Sequence, residues 1–120
     1  MDNRPIGVFD SGLGGLTAVR RLAALMPNEN IIYFGDTGRV PYGTRSRETI
    51  LRYAAQDVNF LHTFDLKAIV IACGTVSSIA LADLAQQQPE PIFGVVVPTA
   101  LQAARQTKNG KIGIIATPAT

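Results

Sequence analysis

Five short apolar segments are spread along the chain, and longer stretches of mixed polarity separate them. Each segment is rich in Ile and Val and hardly alternates between apolar and polar residues. That pattern is typical of strands that are covered on both faces. It predicts five β-strands, at residues 5–10, 30–36, 67–73, 91–97 and 111–117.

The stretches between the predicted strands carry helical spacing. In the clearest case Ser46 is a candidate N-cap, and the apolar residues after it recur at the spacing of one helix face. These apolar residues are Ile50, Ala54, Val58 and Leu61. Further helices are predicted at about 14–26, at about 75–87 and from near Pro98.

Alternation of strand and helix predicts an α/β fold. We expect a doubly wound, mostly parallel sheet with helices on both faces and right-handed crossovers. Ligands of such sheets bind beyond the carboxyl ends of the strands, so the residues that directly follow each strand are the candidates for a site.

Composition places the chain among globular proteins, since its 120 residues are 47% hydrophobic and 17% charged. The net charge of +2 is too small to indicate a nucleic-acid partner. No apolar run reaches the roughly 18 residues of a membrane span, and the N-terminus lacks the layout of a signal peptide. We therefore expect a cytoplasmic protein with no membrane partner. A single cysteine allows no internal disulfide and no zinc cluster, and no metal site is predicted.

The first candidate is the glycine-rich turn "DSGLGG" at 10–15, which follows the first strand. Such a turn can present N–H groups to an anion, or it can simply need its glycines for a tight bend. It lacks the dinucleotide pattern because Thr17 stands where Gly or Ala is required, and it has no P-loop lysine. A carboxylate at Asp10 would repel phosphate but could accept a hydrogen bond from an ammonium group or a thiol. An amino acid suits this turn better than a nucleotide.

Two other polar residues have simpler interpretations. The stretch "RVPYG" at 39–43 reads as a proline-containing turn, with Tyr42 as an amphipathic wall. His62 lies near a predicted helix end, where a surface role is expected.

Cys73 stands between a predicted strand and a predicted helix. Free cysteines are often buried filler, but this position puts the sulfur over unpaired N–H groups that stabilise a thiolate. Phosphatase chemistry would need an arginine where the chain has Ile79, and a redox pair would need a cysteine where it has Val76. With those two chemistries excluded, the remaining interpretation is that Cys73 is a single acid or base at a site for a small anion.

Four motifs together resemble the glutamate racemase family, in the cofactor-independent aspartate/glutamate racemase superfamily. They are "IGVFDSGLGGLTAVRRLA", "YFGDTGRVPYG", "IACGTVSS" and "KIGIIATPAT", and the resemblance covers essentially the whole chain. It implies an isomerase that interconverts L- and D-glutamate for peptidoglycan without metal or organic cofactor. It also implies a protein of roughly twice this length, with two α/β lobes and a catalytic cysteine on each. On that basis residues 1–97 form the first lobe, and residues 98–120 form the crossover and first strand of a second.

The resemblance also implies roles for individual residues. Cys73 becomes one of two catalytic bases, and Asp10 orients the thiol or the substrate ammonium group. The substrate-binding positions are Asp10, Ser11, Tyr42, Gly43, Gly74 and Thr75, and Thr117 is a further candidate. At Gly74 the chain departs from the family, which has Asn there; the backbone N–H remains.

Alternatives to glutamate racemisation stay open in the sequence. Aspartate is the nearest other substrate. A catalytically inactive module that binds a dicarboxylate or interacts with a partner is a second possibility, because the second lobe and its cysteine do not lie within these 120 residues. A homodimer is a further possibility, since it would bring together two copies of Cys73.

Overall fold

The structure is a computed structural model that describes residues 1–120. Strands and helices alternate from the N-terminus onwards. The elements are β1 (Ile6–Asp10), α1 (Leu16–Leu25), β2 (Ile31–Gly35), α2 (Arg47–Leu61), β3 (Ala68–Ile71), α3 (Gly74–Ile79), α4 (Leu81–Gln87), β4 (Ile92–Gly94) and α5 (Val96–Gln106).

Four strands form one parallel sheet in the order β2-β1-β3-β4. Asp10 at the end of β1 pairs with Gly35 of β2, and Phe9 pairs with Ile71 of β3. The strand order reverses direction at β1, so right-handed crossovers put α1 on one face and α2, α3 and α4 on the other. The predicted α/β class with a parallel sheet is confirmed, and the carboxyl ends of β1 and β3 lie at the switch point where ligands bind in such folds.

The hydrophobic core lies between the sheet and the helices α2, α3 and α4. Every residue of β1 is buried, as predicted for a central strand. The core cluster consists of Phe9, Tyr42, Ile50, Ala54, Val58, Leu61, Leu66, Ile69, Ile71, Cys73, Val76, Ala80 and Leu84. Burying one such aliphatic side chain stabilises the fold by roughly 1.5–3 kcal/mol, so this cluster fixes the strands that carry the site.

Helix α2 forms as its periodic pattern predicts. Ser46 caps it, since the Ser46 hydroxyl accepts a hydrogen bond from the Thr49 N–H at 3.2 Å. The predicted apolar face is the buried face of the helix, and it packs on the sheet between the cap and His62.

The predicted helix over 75–87 is instead two helices, α3 and α4, which meet at Ala80. Ala80 is fully buried, and neither Gly nor Pro marks the break in the sequence. The last predicted helix begins at Val96, slightly earlier than expected, because Pro98 lies in the first turn, where its missing N–H costs no helical hydrogen bond.

The fifth predicted strand, at 111–117, does not form. A strand needs a neighbour for its backbone hydrogen bonds, and this segment pairs with neither edge of the sheet. Its side chains are exposed, with Ile114 at 83% and Ile115 at 103%. The predicted division of the chain between residues 97 and 98 falls in the first turn of α5, and it stays a prediction.

None of the helices has both the length and the apolar character needed to cross a bilayer.

Candidate active site

Three of the predicted residues meet at the carboxyl ends of β1 and β3. Asp10 is the last residue of β1, Ser11 follows it, and Cys73 lies just after β3. Neighbouring strands bring them together, since the Ala72 N–H donates to the Phe9 carbonyl oxygen at 2.8 Å. We refer to Asp10, Ser11 and Cys73 as the strand-end wall.

Asp10 is fixed by the backbone of its own loop. One carboxylate oxygen accepts from the Ser11 N–H at 2.8 Å, and the other accepts from the Gly15 N–H at 2.7 Å. A Cβ at Gly15 would lie 2.7 Å from the Asp10 Cβ and 3.0 Å from the Ala72 Cβ. Glycine is therefore required at position 15, so that the turn can approach the carboxylate closely enough to donate to it.

The thiol of Cys73 has two hydrogen-bond partners. The Sγ donates to the Ser11 Oγ at 3.3 Å and accepts from the Val76 N–H at 3.5 Å. Cys73 is the N-cap of α3, so its predicted place between a strand and a helix is confirmed. The thiol thus donates its hydrogen bond to Ser11 and not to Asp10. The Asp10 carboxylate accepts its hydrogen bonds from backbone N–H groups. The catalytic roles of Cys73 and Asp10 stay predictions.

A chain of threonine hydroxyls lies beside the thiol. The Thr75 Oγ1 is 2.9 Å from the Thr117 Oγ1, which is also 2.9 Å from the Thr120 Oγ1. The side chain of Thr117 fills the space beside Gly43, where an added Cβ would lie 2.4 Å from the Thr117 Cβ. The structure thus brings together Gly43, Thr75 and Thr117, and their role in substrate binding stays a prediction.

Gly74 has open space next to it. The nearest atoms to an added Cβ belong to Thr120, at 3.9 Å. The missing asparagine side chain therefore leaves room at the site, and the glycine is not required by packing.

The loop at 36–43 lies beside the strand-end wall, and we call it the loop wall. The two are in direct contact, since the Asp36 N–H donates to the Asp10 carbonyl oxygen at 2.9 Å. The backbone N–H groups of Tyr42 and Gly43 have no hydrogen-bond acceptor within the chain. They are free to bind a ligand, and a carboxylate is the group that two adjacent N–H donors suit.

The interpretation of Tyr42 as an amphipathic wall is wrong. Its side chain is only 1% exposed and belongs to the core. The Tyr42 hydroxyl contacts the carboxyl groups of both Asp36 and Asp57, and its oxygen lies 2.7 Å from the Asp57 Oδ2. The ring therefore points into the core, toward these two buried acids, and only the backbone of Tyr42 is left as a possible contact for a ligand.

Arg39 joins the same two acids. Its Nε donates to Asp36 at 2.6 Å and its Nη2 donates to Asp57 at 3.0 Å. Its guanidinium lies 4.2 Å from the centre of the Tyr53 ring. Burial raises the pKa of Asp57 to about 6, although hydrogen bonds from Tyr42 and Arg39 oppose the shift. Burial and the two neighbouring acids also raise the pKa of Tyr42.

Tyr33 is a further residue that the sequence patterns do not single out. Its hydroxyl donates to the Gly12 carbonyl oxygen at 2.8 Å and so anchors the turn that carries Ser11. Burial, together with the negative charge of Asp10, raises the pKa of Tyr33. A Cβ at Gly35 would lie 2.5 Å from the same carbonyl oxygen, so Gly35 is needed for this contact. Tyr33 stands inside an apolar strand, where its pattern indicates packing only.

His62 lies outside the site. It caps the C-terminus of α2 and its Nε2 contacts the Glu90 carboxylate. Both residues line a cavity of about 630 Å³ at the amino ends of the strands, the end opposite Cys73. His62 is exposed at the end of α2, as the prediction of a surface role near a helix end states.

The arrangement suits proton transfer at a carboxylate-bearing carbon. It offers one thiol, a hydroxyl in contact with it, an adjacent carboxylate and two free N–H donors. No group of three or more His, Cys, Asp or Glu side chains is placed to hold a metal ion.

Known proteins similar to this chain share one description. The glutamate racemase of Pediococcus pentosaceus is 52% identical over 120 residues, which are 100% of this chain and 45% of that protein. The crystal structure of glutamate racemase isoform RacE1 from Bacillus anthracis superimposes with a TM-score of 0.93 at 43% identity, over 99% of this chain and 45% of that one. The glutamate racemase of Francisella tularensis, solved in complex with D-glutamate, gives a TM-score of 0.86 at 48% identity, over 99% of this chain and 44% of that one.

No family model matches the chain. The relatives are nevertheless similar over its whole length, in sequence and in backbone. The chain spans about 45% of the length of the Pediococcus relative. By sequence and by fold it belongs to the glutamate racemase family.

Proposed function

We propose that the complete protein interconverts L- and D-glutamate and that Cys73 is one of its two proton-transferring groups. The observation that carries this proposal is the 3.3 Å contact of the Cys73 thiol with Ser11, at a strand-end wall that also carries Asp10. A relative that binds D-glutamate supports the choice of substrate.

In the proposed reaction Cys73 first loses its thiol proton to solvent, and the resulting thiolate removes the α-proton of glutamate from one face. The Cα–H bond breaks, an S–H bond forms, and the electron pair left on Cα is delocalised into the adjacent carboxylate. A second acid then delivers a proton to the opposite face, and the electron pair returns to form the new Cα–H bond. Positioned acids and bases of this kind typically contribute about 10²–10⁴-fold to the rate.

The remaining groups of the site have supporting roles in this proposal. While Cys73 is a thiol, Ser11 accepts a hydrogen bond from it and keeps the sulfur directed at the site. Asp10 receives the substrate ammonium group on the lone pairs that its backbone donors leave free. The N–H groups of Tyr42 and Gly43 bind a substrate carboxylate, and Gly74 and Thr75 offer further donors at the start of α3.

The second acid must come from a residue outside these 120, or from Cys73 of a second copy, since the chain has one cysteine. We propose the first source, because a pairing of two copies would have to place both sulfurs within reach of one Cα. No organic cofactor or metal is needed when two groups flank the carbon. Such an enzyme would act in the cytoplasm and supply D-glutamate for peptidoglycan.

The test is racemisation by the complete gene product, followed by the circular dichroism of glutamate after removal of metal and pyridoxal. We expect activity with L- and with D-glutamate, and loss of activity in Cys73→Ala. Aspartate is tested in parallel. If the protein racemises aspartate faster than glutamate, aspartate is its substrate. Absence of activity with either amino acid would contradict the proposal.

A second experiment addresses these 120 residues alone. We expect them to racemise nothing and to exchange little α-hydrogen, because one base on an open wall leaves the carbanion-like transition state exposed to water. Proton NMR of glutamate in D₂O reads both outcomes. Exchange with retention would indicate a one-base site, and inversion that Cys73→Ala abolishes would indicate a competent dimer. Calorimetric titration with D-glutamate separates these from an inactive binding module, which would bind without turnover; the similarity to glutamate racemases does not favour that module.

A further inference from the structure

The buried charges behind the loop wall are the feature that the proposed chemistry leaves unused. Tyr42 is held between two carboxylates and Arg39 bridges the same pair, yet none of these side chains reaches the strand-end wall. Asp57 is 1% exposed and Asp36 is 8% exposed. Burying two acids costs free energy unless partners compensate, and here Tyr42 and Arg39 are the partners of both.

Counting protons shows how the cluster is satisfied. A phenol has one proton, and the Tyr42 hydroxyl contacts both Asp36 and Asp57. With both acids ionised, one of these two oxygen–oxygen contacts would contain no proton. One additional proton on Asp57 satisfies both contacts, because Asp57 then donates to Tyr42 and Tyr42 donates to Asp36. Arg39 balances the remaining charge of Asp36.

The cluster fixes the backbone at Tyr42 and Gly43. The Tyr42 ring is held at its hydroxyl end by the two acids, while the backbone N–H of the same residue has no acceptor within the chain. The Tyr42 carbonyl oxygen also accepts from the Arg45 N–H at 2.9 Å, so the loop has little freedom at this point. Gly43 is then held directly against Thr117, with no space for a Cβ.

We propose that Asp36, Arg39 and Asp57 are positioning residues that clamp the Tyr42 ring and thereby hold the N–H groups of Tyr42 and Gly43 toward a substrate carboxylate. This inference rests on the proposed racemase function. The clamp acts on substrate binding and does not take part in proton transfer at Cα.

The clamp depends on pH, because its extra proton leaves as Asp57 ionises. The titratable or charged groups that face Asp57 are Tyr42, Asp36 and Arg39, all from the loop wall. On the helix of Asp57, Arg52 lies farther out, over the ring of Tyr53. Ionisation of Asp57 places a second negative charge beside Asp36, so the clamp loosens as the pH rises through about 6.

The kinetic test uses the complete gene product and separates KM from kcat. Tyr42→Phe removes the shared proton and leaves two facing carboxylates. We expect the KM for glutamate to rise by about tenfold, with kcat changed by less than about threefold, because a binding contact to a charged group is weakened. Asp57→Asn keeps the shape and supplies an amide donor to the Tyr42 oxygen at every pH. We expect its KM to equal the wild-type value below about pH 6 and to stay at that value above it, where the wild-type KM rises.

Asp65→Asn is the matched control, since Asp65 is an exposed acid that contacts Arg4 at the far end of the sheet. We expect its KM, and the pH dependence of its KM, to equal those of the wild type. An unchanged KM in Tyr42→Phe would overturn the inference, as would a loss of kcat alone. Retention of the wild-type pH dependence in Asp57→Asn would overturn it too.

A readout without substrate separates this inference from the proposed function. The amide NMR signal of Gly43 should move in Tyr42→Phe and stay in place in Asp65→Asn, whether or not the protein is a racemase. Inactive wild-type protein would therefore contradict the proposed function only. A Gly43 amide that is unchanged in Tyr42→Phe would contradict the clamp. If Tyr42→Phe does not fold, Arg39→Lys serves the same comparison, because lysine cannot bridge both acids.

Discussion

The two walls of the site are held in place in opposite ways. The strand-end wall consists of residues that directly follow β1 and β3, and backbone groups hold them: Asp10 accepts from two N–H groups, and Cys73 accepts from one. The loop wall has no strand beneath Gly43 and is held by buried side chains that carry charge. Position along the sheet is enough to place Asp10 and Cys73 on one wall, whereas the conformation of the other wall depends on electrostatics and therefore on pH.

The largest expected effect is on the strand-end wall. Replacing Cys73 by Ala in the complete gene product should lower racemisation by about a thousandfold, since the proposed base is lost. Ser78→Ala is the control, because Ser78 lies exposed on the same helix. Rates are measured by the circular dichroism of glutamate. If Cys73→Ala keeps activity within tenfold of the wild type, Cys73 is not the base, and the strand-end wall has no chemical role that the loop wall lacks.

The loop wall should respond to pH through Asp57. Its pKa of about 6 in the folded state exceeds the ordinary 3.8, so the folded protein binds this proton more tightly than the unfolded chain does. The resulting stabilisation is complete below about pH 4 and is lost as the pH rises through 6, by about 3 kcal/mol in total. Asp57→Asn removes this dependence.

The measurement is the free energy of urea unfolding at several pH values from about 4 to about 7. The difference between Asp57→Asn and the wild type should shift in favour of the variant as the pH rises. Asp83→Asn breaks an exposed ion pair with Arg47 and should show no such trend. If the difference in unfolding free energy between Asp57→Asn and the wild type does not change with pH, the stability of the loop wall is as insensitive to pH as that of the strand-end wall.

Replacing glycine by alanine next to the strand-end wall should destabilise the protein at one position and have little effect at another. Gly15→Ala should destabilise the protein by about 1–3 kcal/mol, because the new Cβ would overlap the side chains of Asp10 and Ala72. Gly74→Ala is the control and should change stability by less than about 1 kcal/mol, since the space beside it is open. Urea unfolding measures both, and equal effects would contradict the packing described for the turn.

The smallest expected effect concerns the hydroxyl of Tyr33. Tyr33→Phe removes its hydrogen bond to the Gly12 carbonyl oxygen and should cost about 1 kcal/mol. Tyr53→Phe is the matched control, because the Tyr53 hydroxyl makes no hydrogen bond within the chain and its ring is kept in the variant. If thermal unfolding shows the same loss for both variants, the turn of the strand-end wall does not depend on Tyr33.

Local patterns in the sequence were enough to predict most elements and the place of Cys73. Strands of a buried parallel sheet have a compositional signature, and α2 has both a periodic face and a capping serine, so each is encoded within a few neighbouring residues. The same holds for the turn at 10–15, whose glycines and acid lie in one hexapeptide. For this reason the places of Asp10 and Cys73 could be predicted from local patterns, whereas Ser11 was named only through the family resemblance, and its contact with the thiol was not predicted.

Only the tertiary structure decided the loop wall and the end of the chain. The inward direction of Tyr42 depends on Asp57, which is 15 positions away on another element, and no local pattern records that contact. The strand expected at 111–117 has the right composition but no neighbouring strand to pair with, and no Gly or Pro marks the break between α3 and α4 at Ala80. Composition and spacing determine what a segment can form, whereas contacts between distant segments determine which buried groups meet and which strands find a partner.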